Sequence, residues 1–221
     1  MITILTGMKG ETDTLNTFPP MQDITIIQGI TARDDMESAV PPNTDDIVCW
    51  GLGGGLSPYI KVGDVCISGS VELVDGRRYQ AAPTWITSLM RILGPLRSRF
   101  VRGYSDPKEQ GIDPPSRKML YDNTKCDITN MGSYAVAEWA AKHNKPWVAI
   151  DCVSDDYTMT VPDFSTFVDD AGNIDVPAAI RQIVTNPQND LLLIQSAIHA
   201  ERALFGLHQA AILLAVNKWG M

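Results

Sequence analysis

Four stretches of this sequence hold residue types that can do chemistry. Glu11 stands in the tight turn "TGMKGET" directly after a short apolar run. Asp155 and Asp156 end the apolar run "VAIDCV", where a carboxyl can be desolvated and hold its proton near neutrality, as a general acid must. The plainer use of acids at such a place is to cap a turn or helix. The glycine run 51–55, in "WGLGGGLSPYIKVGD", follows another buried run. Only glycine permits close backbone approach and positive φ without steric penalty, and successive exposed amides would make a nest for an anion or a sugar. "DDMESAV" (34–40) carries acids suited to sugar hydroxyls, whereas "NMGSYAV" (130–136) has nearly the same shape with its acids removed.

These residues need elements to position them. "ITILT" (2–6), "DITIIQG" (23–29) and "DIVCWG" (46–51) read as strands, and "DVCISGSVELVDG" (64–76) as two more, antiparallel, punctuated by Gly69 and Gly76. Residues 83–100 read as a helix broken near Gly94-Pro95, 133–144 as a helix ended by Asn144, 145–156 as a buried strand opening into a polar turn, and 190–219 as a long helix. The alternation predicts one α/β domain over 1–221: a mixed, mostly parallel sheet with helices on both faces. Ligands of such sheets sit beyond the carboxyl ends of the strands, a rule that selects Glu11, the glycine run and Asp155-Asp156. "TARDDMESAVPP" starts with Thr31 as a cap, with Asp34 three residues on, and stops before Pro41-Pro42. It predicts a short, solvated surface helix.

Composition excludes several classes. Of 221 residues 44% are hydrophobic and 20% charged, with a net charge of −8, which argues against nucleic acid as a partner. The amino terminus reads as a strand, not a signal peptide, and "QAAILLAVNKW" is too short and interrupted to span a membrane. Cys49, Cys66, Cys126 and Cys152 have no zinc spacing and read as buried free thiols in a reducing cytoplasm. His143, His199 and His208 form no pair with metal-ligand spacing, so no metal site is expected. Gly51 and Gly53 match part of a dinucleotide fingerprint, but Leu56 replaces its third glycine and Ser57-Pro58 stand where a helix should begin.

Together these pieces resemble the nucleoside phosphorylase/nucleosidase superfamily over residues 2 to about 162. "TGMKGETDTL" is similar to that family's first turn, with Glu11 at its catalytic glutamate. "GLGGGLSPYIKVGDVCIS" resembles its glycine-rich turn, "KxGD" and following strand. "NMGSYAVAEWAAKHNKPWVAIDCVSDD" resembles its sugar-binding segment, helix and strand, ending with Ser154 and with Asp155 at the family's acid. The family's D-M-E-S falls on Asn130, Met131, Gly132 and Ser133, so "DDMESAV" is a look-alike elsewhere in the chain. The nearest branch in appearance is the one associated with hopanoid biosynthesis, thought to act on adenosylhopane; methylthioadenosine/adenosylhomocysteine nucleosidases come next.

The resemblance implies cleavage of the N-glycosidic bond of a purine nucleoside, with adenine leaving as Asp155 protonates N7 and Glu11 positions or deprotonates water. Gly53, Gly54, Gly55, Asn130, Met131, Gly132 and Ser154 would line the substrate. No cofactor is implied; phosphate is the possible co-substrate. Three positions depart from the family: its ribose-binding glutamate is Gly132, an arginine four residues before the acid is Asp151, and the serine of its glycine loop is Leu52. Cys49, Leu52 and Asp151 offer phosphate no cation, which favours hydrolysis over phosphorolysis. The alternative from another class is a protein of the same fold that binds adenine or a nucleoside without turnover. The family usually forms dimers or higher oligomers, for which "TWITSLM" is a candidate contact surface.

Overall fold

The structure, a computed structural model, describes residues 1–19, 21, 23–29, 33–106, 113–161 and 190–220. Strand β1 (Ile2–Thr6) forms from an unbroken apolar and β-branched run, and all five residues are buried. It lies parallel to β2 (Ile24–Gln28) on one edge and to β3 (Asp46–Gly55) on the other. β3 changes partner along its length: beside β1 it runs only to the Leu5–Cys49 pair, and its last residues, Gly54 and Gly55, pair antiparallel with β7 (Ile128–Asn130). Its other edge is parallel to β8 (Trp147–Asp155). β8 is antiparallel to β4 (Val65–Leu73), β4 parallel to β6 (Arg99–Ser105), and β6 parallel to β7. The pairings therefore close a ring β3–β8–β4–β6–β7, with β1 and β2 branching from β3 and the three-residue β5 (Arg78–Gln80) from β4. The result is the expected mixed α/β architecture.

Residues 65–73 are one strand rather than the two expected. Gly69 marks a bulge in the β4–β6 register, not a turn, and a Cβ there would lie 2.4 Å from the Phe100 ring. The turn comes later, at Gly76 with φ +83°, and leads into β5. Helix α3 (Pro83–Ile92) ends where the Gly94-Pro95 break was expected, in a 3-10 turn over Gly94–Leu96, but residues 99 and 100 already belong to β6. β6, α4 (Pro114–Thr124) and β7 were not foreseen.

Among the other helices, α1 (Lys9–Leu15) follows β1 after two residues, and α5 (Ser133–His143) packs on β3, β4 and β8. Helix α2 (Arg33–Ala39) is the "DDMESA" helix: Met36 enters the core, while Glu37 pairs with Lys142 at 2.7 Å and His143 at 3.2 Å on α5. It is a surface helix as expected; Thr31 lies outside the described residues. Helix α6 (Asp190–Val216) packs on β8 and α1, and Gly206 permits the close approach, since a Cβ there would sit 2.6 Å from Cys152 Sγ. In α3, Trp85 and Leu89 turn into the chain's own core. Within "TWITSLM" Trp85 and Leu89 are therefore buried in the protomer, while Thr84 and Thr87 are exposed. Among the described residues, no helix is long and apolar enough to cross a membrane.

Candidate active site

The first turn holds its acid through backbone geometry. Glu11 is the third residue of α1, and its Oε2 accepts hydrogen bonds from Gly7 N (2.8 Å) and Met8 N (2.9 Å), a reach-back that satisfies free amides at a helix start. Oε1 accepts from Leu52 N at 2.8 Å. Leu52 lies in the part of β3 between its β1 and β7 pairings, so the carboxyl fills the break in that strand's edge. Glu11 is 5% exposed. Burial raises its pKa, and the three amides act in the opposite direction.

A second acid lies close by. Asp151, 1% exposed on β8, accepts Asn130 Nδ2 at 3.1 Å on each of its oxygens. Asn130 Oδ1 in turn accepts from Ser133 N (3.0 Å), Ser133 Oγ (2.6 Å) and Ser105 Oγ (3.2 Å), which ties β6, β7 and the start of α5 to this carboxyl. Burial pushes the Asp151 pKa well above the usual aspartate range; the Asn130 bonds lower it and the Glu11 charge raises it further. The Cys49 thiol is pushed well up by burial and then by the charges of Asp151 and Glu11.

Asp155 has a different setting from the one expected. Arg117 of α4, 2% exposed, donates through Nη2 to Asp155 Oδ1 and through Nη1 to Gly55 O at 2.9 Å. Ser154 Oγ donates to Asp155 Oδ2 at 2.6 Å. Asp155 is the anionic half of an ion pair, not an isolated acid in an apolar pocket. Asp156 caps a turn, accepting from Thr158 N at 3.0 Å, with Lys61 Nζ 3.7 Å away.

The glycine run lies between these groups. It is not a loop: it is the end of β3, in pairing with β7 and β8, and none of its glycines has positive φ. The anticipated nest of free amides at Gly53, Gly54 and Gly55 is replaced by a strand whose missing side chains leave room for neighbours. A Cβ on Gly51 would lie 2.8 Å from Glu11 Oε1, one on Gly53 3.4 Å from Asp151 Cβ, and one on Gly54 2.9 Å from both Asp155 Oδ1 and Arg117 Nη1. Alternate strand residues face opposite ways. Glu11 and Asp151 therefore occupy one face of the β3 end, and Asp155 with Arg117 the other, rather than one crevice floored by the glycines.

The remaining residues expected at the site fall at the start of α5. Met131 is exposed, and Gly132 precedes α5; among the described residues the one atom near a Cβ placed there is Cys49 Sγ at 3.7 Å. Sequence reasoning missed Arg117 entirely and noted Asp151 only as a changed position; a lone aspartate inside "VAIDCV" was the available signal for the latter. Two surface grooves, one beside Glu37, Glu138 and Trp139 and the other beside Arg78, Asn144 and Trp147, lie away from these acids. Among the described residues, no group of three or more His, Cys, Asp or Glu side chains is placed to hold a metal ion.

No family model and no curated protein matches the sequence. Solved structures match over its whole length. Futalosine hydrolase of Helicobacter pylori superposes with a TM-score of 0.68 at 12% identity, over 98% of this chain and 97% of that one. The 5'-methylthioadenosine/S-adenosylhomocysteine nucleosidase of the same organism gives 0.67 at 14% identity, over 100% and 98%. That of Neisseria meningitidis, in complex with methylthio-immucillin-A, gives 0.65 at 13% identity, over 98% of each. At these identities the likeness is one of fold, and the fold is the one that the sequence resemblance implied.

Proposed function

We propose that this protein hydrolyses the N-glycosidic bond of a purine nucleoside, releasing adenine from a 5'-substituted adenosine such as adenosylhopane. The observation that carries the reading is Glu11: a buried carboxyl, fixed by three backbone amides at the carboxyl ends of β1 and β3, in a fold shared along its whole length with nucleosidases. In this reading Glu11 orients the attacking water or steadies the sugar cation. Asp155, protonated from solvent as the Arg117 pairing loosens, gives that proton to N7 as the C1'–N9 bond breaks. Because the two acids lie on opposite faces of β3, beside Gly51 and Gly54, the nucleoside in this reading reaches from one face to the other past the carboxyl end of the strand. Water is the nucleophile, because among the described residues the groups bonded to Glu11 and Asp151 are backbone amides and Asn130, with no lysine or arginine to hold a phosphate. No cofactor takes part, the whole chain acts as one domain, and the compartment is the cytoplasm, which fits four buried free thiols.

A second reading is supported by two observations: Gly132 offers no carboxylate to the ribose hydroxyls, and Asp155 is already paired. It makes the protein a binder of adenine or nucleoside without turnover. Adenine release from a panel of 5'-substituted adenosines, with and without phosphate, separates the two. The hydrolase reading expects phosphate-independent release that Asp155→Asn abolishes. Undiminished release by that variant would remove Asp155 from the chemistry. Thermal stabilisation by adenine without release selects the binder, and neither release nor stabilisation rejects both.

A further inference from the structure

Glu11 and Asp151 are close neighbours, and the proposed reaction gives work to Glu11 alone. Asp151 is the register partner of Gly51 across the β3–β8 ladder, so it projects to the face on which Glu11 fills the vacancy of that glycine. Its Cβ also lies 3.4 Å from the position that a Cβ would take on Gly53. The two acids thus sit over alternate residues of one strand, about 7 Å apart along β3. Glu11 is 5% exposed and Asp151 1%.

Their hydrogen bonds differ in kind. Three backbone N–H groups, those of Gly7, Met8 and Leu52, donate to Glu11, and none of them can turn round to accept. That is the setting of an anion. Asp151 receives one amide group, Asn130 Nδ2, shared between its two oxygens at 3.1 Å each. The amide cannot flip to offer its oxygen instead, because Asn130 Oδ1 accepts from the backbone N–H of Ser133 at 3.0 Å. Among the described residues neither acid is bonded to a lysine, arginine or histidine. The other titratable groups on this face are the thiols of Cys49 on β3 and of Cys66, the β4 partner of Asp151, and burial pushes both of them well up. Lys9 and Asp13 of α1 are exposed and pair with one another, α6 meets this turn through Leu204, and Arg117 with Asp155 lies on the opposite face of β3. Two buried carboxyls without a cation between them do not both stay ionised; one keeps a proton.

We propose that Glu11 and Asp151 share a single proton near neutral pH, that Asp151 carries it, and that Asp151 is thereby a positioning residue which leaves the pair's one negative charge on Glu11. The role rests on the hydrolysis proposed above. There the water oxygen bonds to C1' as the C1'–N9 bond breaks, and the proton that the water loses passes to the Glu11 carboxylate. Glu11 can take it only while ionised, which the proton on Asp151 ensures.

The shared proton is observable without turnover. Infrared spectra of the full chain, titrated with base, should show a buried protonated carboxyl that Asp151→Asn lacks. In Glu11→Gln the same band should persist but vanish at a pH lower by at least about one unit, because the like charge beside it is gone. No Asp151 band at neutral pH, or a band that titrates alike with and without the Glu11 charge, overturns the proposal. The role is read from adenine release by 5'-methylthioadenosine, whose kcat/KM should rise from acid pH as Glu11 ionises. In Asp151→Asn that rise should come at the same pH as in wild type, since one neutral side chain replaces another. A rise displaced downward by about one unit or more would mean that Asp151 had been ionised beside Glu11, and overturns the proposal too. No adenine release by wild type counts against the hydrolysis and so against the role of Asp151, while the infrared titration still decides the shared proton.

Discussion

Placing a single methyl group on Gly51 probes how Glu11 is held. In Gly51→Ala the new Cβ would lie 2.8 Å from Glu11 Oε1, 3.2 Å from Cδ and 3.3 Å from Oε2, so the carboxyl must move. The backbone itself accepts alanine, because Gly51 does not have positive φ. Gly7 and Met8 belong to the same turn as Glu11 and can follow it, but Leu52 belongs to β3 and cannot. The loss is therefore the Leu52 N–H bond, worth about 1.5–3 kcal/mol if the acceptor is charged, plus part of the penalty of about 1–3 kcal/mol for an amide left unpaired. A destabilisation of about 2–4 kcal/mol follows, or a melting temperature lower by roughly 5–15 °C for a chain of this size. Thermal denaturation followed by circular dichroism measures it, and a double-mutant cycle gives it meaning. With Glu11→Ala in place nothing remains for the methyl to displace, so Gly51→Ala should then be neutral to within about 0.5 kcal/mol. Equal losses with and without the Glu11 side chain, or no loss in either background, would refute the account of the Glu11–β3 contact.

Three further outcomes follow from the same region. Burial raises the Asp151 pKa, so between the ordinary aspartate range and the raised value the folded chain binds a proton that the unfolded chain releases; stability is unpenalised below about pH 4 and falls as pH climbs through that window. Asp151→Asn should accordingly gain melting temperature over wild type at pH 8 but not at pH 4, and a difference independent of pH contradicts the buried-acid account. At Gly132 the negative φ and the 3.7 Å clearance to Cys49 Sγ predict that alanine changes stability by less than about 0.5 kcal/mol. On the proposed function, Gly132→Glu should raise kcat/KM for a nucleoside by roughly 10-fold or more, the value of one hydrogen bond to a charged group. A folded Gly132→Glu variant with unchanged kcat/KM would mean that the sugar does not lie at the start of α5.

Legibility in the sequence followed the burial of each element. β1, β3 and β8 were readable because each is an unbroken apolar run, and α6 because apolar residues persist over its length. β6 opens with two exposed residues and closes with three buried ones without regular alternation, β7 has three residues, and Arg117 is the one buried residue assigned to α4, so none of them carries a strong local pattern. Arg117 reads as a solvated charge in "PPSRKM"; what buries it is Asp155, 38 residues away. Glu11 was readable because its partners at Gly7 and Met8 are neighbours in the chain, but its contact with Leu52 spans 41 residues. Gly69 and the 51–55 run were recognised as special, yet their role is to admit neighbouring side chains, not to turn the chain. Composition shows that a glycine is present, while the group that fills its vacancy comes from another strand.

The circular order of pairings also governs what the sheet presents to other molecules. Of the described strands only β2 and β5 have a single neighbour, and they are five and three residues long. A foreign strand seeking unpaired amides finds little template here, since the longest strands are already flanked on each side. Edge-to-edge growth of the kind that leads to fibrils thus has few starting points among the described strands.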